Sequence, residues 1–238
     1  MTDSRQRLIV ALDVSTAAAA KKIVAAVGDS AFCYKVGMQL YTAEGPAVVR
    51  DLAASGRKVF LDLKYHDIPN TVGAAVAEAA KLGVSMLTVH ASGGGKMLRA
   101  AAEAGRANPE LKILAVTVLT SLGTQDLASI GITGLMQDQV LRLGRLALRS
   151  GCQGIVASAQ EAKALRHDLG DRFTIVTPGV RPAGDNVGDQ ARVVTPAEAI
   201  AAGATHIVVG RPITEAPDPG AKAREVISQI ERREPAVV

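Results

Sequence analysis

Eight apolar runs of strand length, Ala-rich helical segments between them, and glycines just ahead of several runs predict one closed α/β barrel. The expected fold is a single (βα)8 TIM barrel, with eight parallel strands inside a ring of helices. Most of the runs lack clean apolar and polar alternation, as strands covered on both faces do. An open doubly wound sheet is the competing architecture, but it needs edge strands that are hard to find here.

Taken in chain order, the first strand is Leu8–Leu12, followed by a helix over Ala17–Val27. The second strand is Phe32–Val36, and Pro46 suits the first position of a helix over Ala47–Ala54. Gly56 stands before the third strand, Lys58–Leu63, where a helix would end in a left-handed cap. Pro69 suits the start of the next helix, Val72–Leu82, and Gly83 precedes the fourth strand, Val84–Val89. A helix over Lys96–Ala107 leads to Ile113–Val118, and one over Gln139–Arg149 leads through Gly151 to Gly154–Ala157. Ser158-Ala-Gln-Glu161 and Thr195-Pro-Ala-Glu198 both match the capping box, with Pro196 at the first helical position. Phe173–Val176 and, after Gly203, His206–Val209 complete the count. Nothing linker-like divides the chain, so residues 1–238 read as one domain.

Composition narrows the function. Hydrophobic residues are 48% and charged residues 21%, which supplies both a core and a solvated surface. The chain has no Trp and only three Phe and three Tyr, so base stacking on aromatic platforms, and with it nucleic-acid binding, is disfavoured. A formal charge of +4, spread along the chain, suits small anions rather than DNA or an anionic membrane. Cys33 and Cys152 lie far apart without a ligand-rich neighbourhood and read as reduced, partly buried thiols. No signal peptide or membrane-length apolar stretch is recognisable, so a cytoplasmic protein is expected.

Barrel chemistry sits at the C-terminal ends of the strands. Asp13, Lys35, Asp62 with Lys64, His90, Thr120, Arg181 and Arg211 are each expected to follow a different strand there. The densest segment is Phe60-Leu-Asp62-Leu-Lys64-Tyr-His-Asp67-Ile68-Pro-Asn-Thr71. Side chains two apart on a strand share a side, so Asp62 and Lys64 face the mouth while Leu61 and Leu63 face the helices. On its own the pair could be a structural ion pair, with Asp67 starting the next helix. Adding Asp13 and Lys35 places several charges at one mouth, where desolvation is costly unless they pair. His66 and His90 read as supporting groups, His167 and His206 as structural, and no ligand spacing suggests a metal.

Asp-x-Lys-x-x-Asp-Ile-Pro-x-Thr, carried here by Asp62 to Thr71, resembles the signature of the orotidine 5′-monophosphate decarboxylase family. Further likeness runs through Val10-Ala-Leu-Asp13, Tyr34-Lys35-Val-Gly37, Leu119-Thr120-Ser121, Thr177-Pro-Gly-Val-Arg181-Pro and Val209-Gly-Arg211-Pro-Ile. The resemblance implies cofactor-free, metal-free loss of CO2 from carbon 6 of orotidine 5′-monophosphate, yielding uridine 5′-monophosphate. It implies that Lys64 donates the proton, that Asp62 lies against the departing carboxylate, and that Lys35 and Asp67 complete the array. Asp13 and Lys35 would hold the ribose and Thr120 the pyrimidine ring. Asp67, Ile68 and Thr71 would enter the site of the neighbouring subunit of a homodimer.

The segment from Pro178 to Val194 is long for a barrel loop and carries Gly179, Gly184, Gly188, Arg181 and Gln190. Together with Gly210 and Arg211 after the last strand, it fits the place where this fold often binds phosphate. The resemblance gives Arg181, Gln190, Gly210 and Arg211 that role. Two rivals stay open on sequence alone: a magnesium-dependent sugar-phosphate decarboxylase or aldolase of the same fold, and a non-catalytic nucleotide-binding barrel.

Overall fold

A computed structural model describes residues 3–182 and 194–232. Its eight strands are β1 (Leu8–Ala11), β2 (Cys33–Gly37), β3 (Lys58–Tyr65), β4 (Met86–His90), β5 (Lys112–Val116), β6 (Gly154–Val156), β7 (Thr174–Thr177) and β8 (His206–Val209). They pair in parallel in chain order, and β1 pairs with β8, so the sheet closes on itself. The open-sheet alternative is thereby excluded. Among the described residues no helix is long and apolar enough to cross a membrane.

Each strand buries both of its faces. In β1, Ile9 and Ala11 point into the barrel with Cys33, Phe60, Met86, Leu114, Val176 and Val208. Leu8 and Val10 join the larger layer between strands and helices. That double burial is why the strands read as unbroken apolar runs. A fully buried Val, Leu or Ile side chain stabilises by about 1.5–3 kcal/mol, so the aliphatic layers carry the fold without Trp. Gly154 is required by the closeness of the walls. A β-carbon there would lie 2.6 Å from Leu114 Cδ2 and 2.6 Å from the Thr174 carbonyl oxygen. Both cysteines are free and buried.

The helices are α1 (Ala17–Val27), α2 (Met38–Glu44), α3 (Ala47–Ala54), α4 (Pro69–Ala80), α5 (Gly94–Gly105), α6 (Thr124–Ser129), α7 (Met136–Arg149), α8 (Ala159–Leu169), α9 (Pro196–Ala201), α10 (Arg211–Thr214) and α11 (Pro219–Glu231). Gly56, Gly83, Gly151 and Gly203 all take positive φ before their strands, as the caps predict. Thr195 accepts the Glu198 N–H at 3.2 Å while Glu198 takes the Thr195 N–H at 2.7 Å, which closes the expected box. Pro69 and Pro196 begin their helices, but Pro46 stands one residue earlier, as the N-cap of α3. Three helices begin two or three residues before their expected starts, because Pro69, Gly94 and Met136 open turns ahead of the periodic apolar residues.

Candidate active site

At the C-terminal mouth, the ends of the first three strands bring four charges into an alternating line. The Lys35 ammonium donates to Asp13 Oδ1 at 2.8 Å and lies 3.9 Å from Asp62 Oδ2. Lys64 Nζ donates to both oxygens of Asp62, at 2.9 and 3.0 Å. Side-chain exposure is 12% for Lys35, 14% for Asp62 and 25% for Lys64, against 54% for Asp13, so the line runs from solvent into the mouth. Each charge has an opposite neighbour, the condition under which partly buried charges are tolerable. One expectation needs correction: Asp13 follows its strand, but Lys35, Asp62 and Lys64 lie within β2 and β3, and His90 is the last residue of β4. Lys35 and Asp62 already stand inside the apolar runs, and β3 continues two residues past its run, to Tyr65, which carries Lys64 into the mouth.

The reason for β3 is visible in its pairing. Phe60 and Leu61 face Met86 and Leu87 of β4, but the next partner of Val89 is Tyr65. Three residues, 62 to 64, therefore bulge opposite Thr88 alone, and bulges of this kind re-aim side chains at active sites. Lys64 has φ +52°, the only positive value for a non-glycine among the described residues. Its N–H donates to Thr88 Oγ1 at 2.9 Å, and the Thr88 hydroxyl donates to Asp62 Oδ1 at 2.9 Å. Thr88 is fully buried and was not among the expected site residues. The available signal was a hydroxyl inside the run Val84–Val89, two residues from inward-facing Met86.

A cavity of about 150 Å³ adjoins this line. Lys35, Asp62, Lys64 and Thr120 supply its polar rim, while Phe60, Val116, Val156, Val176 and Val208 wall it with hydrocarbon. Such a space can hold a flat apolar group with one edge against the charges. A larger cavity of about 1000 Å³ opens where the strands begin, lined by Arg7, Lys58, Lys112 and His206 among others. It lies at the end of the barrel opposite the one where this fold places chemistry, and it contains none of the four-charge line. Among the described residues, no three or more His, Cys, Asp or Glu side chains converge as a metal site requires.

Other expected residues lie around the mouth rather than in the line. Asp67 is exposed and accepts the Ile68 N–H at 2.6 Å, so within one chain it does not complete the array. Ile68, the N-cap of α4, is 66% exposed, and Thr71 is exposed in the first turn. His90 ends β4 with its ring 5.4 Å from that of His66. Burial first, and then the neighbouring His66 and Lys64, lower its pKa, so it is neutral at pH 7. Gly210 caps α10 beside β1, and a β-carbon there would lie 3.8 Å from Asp13 Oδ2. Arg211 follows it, while Arg181 is buried after β7. A parallel bridge joins Val180 to Val194, and the Arg181 N–H donates to the Val194 carbonyl at 3.0 Å. Gln190, Gly184 and Gly188 fall outside the described residues.

Comparison with known proteins agrees with this geometry. Residues 6–226 match the model of the orotidine 5′-phosphate decarboxylase / HUMPS family. A relative from Moorella thermoacetica, named orotidine 5′-phosphate decarboxylase, is 50% identical over 96% of this chain and 93% of its own length. One of the same name from Anaeromyxobacter dehalogenans is 52% identical over 94% of this chain and 98% of its own. The crystal structure of orotidine 5′-phosphate decarboxylase from Lactobacillus acidophilus superposes with a TM-score of 0.84 at 40% identity, covering 95% of this chain and 100% of that one. That from Pyrococcus horikoshii superposes with a TM-score of 0.78 at 26% identity, covering 94% and 99%. With the fold, the mouth motif and the full-length likeness in agreement, this chain belongs to the orotidine 5′-phosphate decarboxylase / HUMPS family.

Proposed function

We propose that the chain is an orotidine 5′-phosphate decarboxylase, converting orotidine 5′-monophosphate to uridine 5′-monophosphate and CO2 in pyrimidine biosynthesis. The observation that carries this reading is the Asp13–Lys35–Asp62–Lys64 line set against a hydrocarbon-walled cavity. Loss of CO2 from a vinylic carbon leaves an electron pair that no adjacent carbonyl can delocalise as an enolate. The enzyme must then stabilise it electrostatically, with charges already in place. An ammonium about 4 Å from such a pair contributes roughly 4 kcal/mol at an effective dielectric near 20, or about 10³-fold in rate.

In this reading Lys64 stabilises the carbanion and then gives it a proton. Asp62 faces the carboxylate that leaves, Asp13 and Lys35 hold the ribose, and Thr120 meets the pyrimidine edge. Arg181, Gln190, Gly210 and Arg211 take the phosphate, whose binding energy draws the mouth closed and dehydrates the reacting end. Exposure of Asp67, Ile68 and Thr71 beside the mouth supports the reading that they complete the site of a second subunit, in a cytoplasmic homodimer whose subunits are each one domain over residues 1–238.

The decisive assay follows the absorbance of orotidine 5′-monophosphate with purified protein in excess chelator. Steady loss of substrate is expected. Activity that needs magnesium returns the sugar-phosphate rival, and binding of uridine 5′-monophosphate with no turnover returns the non-catalytic one. The shared site has its own test. Lys64→Ala and Asp67→Ala proteins, each nearly inert, should regain activity when mixed under subunit exchange. No recovery with exchange confirmed would place Asp67 in its own subunit's site.

A further inference from the structure

Thr88 makes two contacts that no assigned role explains. Its hydroxyl accepts the Lys64 main-chain N–H and donates to Asp62 Oδ1, both at 2.9 Å. We infer that Thr88 is a positioning residue, whose hydroxyl clamps the bulge of β3 so that Asp62 and Lys64 present their charges in the geometry the reaction uses. The inference rests on the decarboxylase reading.

A hydroxyl has one proton to give. The Lys64 N–H can only donate and the Asp62 carboxylate can only accept, so that proton goes to Asp62 and the direction of both hydrogen bonds is fixed. In a regular ladder the Lys64 N–H would find a carbonyl of the neighbouring strand. The register break beyond Leu61 removes that option, and the Thr88 side chain takes its place. Without it, a main-chain donor in a closed barrel wall is unsatisfied, and the left-handed φ at Lys64 loses the hydrogen bond that holds its main chain. Asp62 would keep its two contacts to Lys64 but lose its only hydrogen bond from the barrel wall among those described. Carboxylate and ammonium could then rotate together as a pair. Thr88 itself is fully buried, so solvent cannot substitute for the hydroxyl.

The test compares Thr88→Val, which keeps the shape and deletes the hydroxyl, with Thr88→Ser, which keeps the hydroxyl. Displacements of about 1 Å at a reacting centre lower rates by up to about 100-fold, so kcat of the Val protein should fall about 10–100-fold. Affinity for uridine 5′-monophosphate, measured by calorimetry, should stay within about threefold, because product lacks the carboxylate that Asp62 faces. The Ser protein should recover most of kcat. A Val protein with parental kcat overturns the inference. So does equal impairment of Val and Ser, or a loss of product affinity in step with kcat. If the parent itself never consumes substrate, the decarboxylase reading has failed. The clamp is then judged from crystal structures, where the Val protein alone should lose the positive φ at Lys64.

Discussion

Gly37 gives a graded perturbation of the charged line. It lies two residues after Lys35 with φ −94° and ψ −177°, extended backbone that any residue adopts. Alanine there adds no backbone strain, and its effect is steric. The new β-carbon would sit 2.9 Å from Lys35 Nζ and 3.2 Å from Asp13 Oδ1. To reach ordinary contact, the ammonium must retreat by roughly 0.5–1 Å, since non-bonded carbon contacts settle near 3.5–4 Å. Asp13 accepts that ammonium at 2.8 Å. Stretching the pair to about 3.6 Å removes about 1.3 kcal/mol at an effective dielectric near 20. Because Asp13 is half exposed, solvent screening lowers this to about 0.5–1 kcal/mol. If the pair grips the ribose, Gly37→Ala should lower kcat/KM by roughly 2–5-fold, mainly through KM, at 1.4 kcal/mol per tenfold. Initial rates across a range of orotidine 5′-monophosphate concentrations provide the measurement. Parental kcat/KM, in a variant whose crystal structure has the ammonium displaced, would refute the assignment of Lys35 and Asp13 to substrate.

Three other outcomes follow from the core and the far end of the barrel. Burial, and then the nearby Lys112, Arg7 and Lys58, push the His206 pKa down to about 4 from an ordinary 6.5. The unfolded chain then binds the extra proton first, so stability is complete above pH 6.5 and declines as pH falls toward 4. The decline amounts to about 3 kcal/mol at 1.4 kcal/mol per unit. Denaturant titrations across that window should lose this slope in His206→Gln. Gly154→Ala should destabilise by about 1–3 kcal/mol or more, because the added methyl meets a main-chain oxygen as well as Leu114; an unchanged Tm would contradict the packing. Burial also pushes the Cys33 and Cys152 thiols up to about 12, so neither should react promptly with a thiol reagent at pH 8, and both should react once the chain is unfolded.

Much of the fold was legible because two signals coincide: each strand is an aliphatic run, and Gly56, Gly83, Gly151 and Gly203 mark the turns into four of them. The Asp62 and Lys64 pair was legible from its spacing of two. The bulge that holds it was not, since a positive φ at a lysine has no sequence signature and Thr88 looks like any strand threonine. Asp67 illustrates a different limit. Its spacing from Lys64 suggests a single cluster, yet within the chain it turns away and bonds its own neighbour's N–H. Spacing along one strand stops predicting neighbours where the strand ends, and it is silent about a second subunit.

The bridge between Val180 and Val194 closes the base of the connection that leaves β7 at the mouth. It staples the two stems of the connection between β7 and α9, so the ends of the intervening stretch are held together at the barrel. For a flexible segment whose ends are joined, doubling the length changes the closure entropy by only about 0.6 kcal/mol. Insertions, deletions or grafts between the stems should therefore leave barrel assembly untouched and, if Arg181 and Gln190 take the phosphate as proposed, alter which anion the mouth accepts. That makes the segment a natural place to re-engineer specificity without rebuilding the protein.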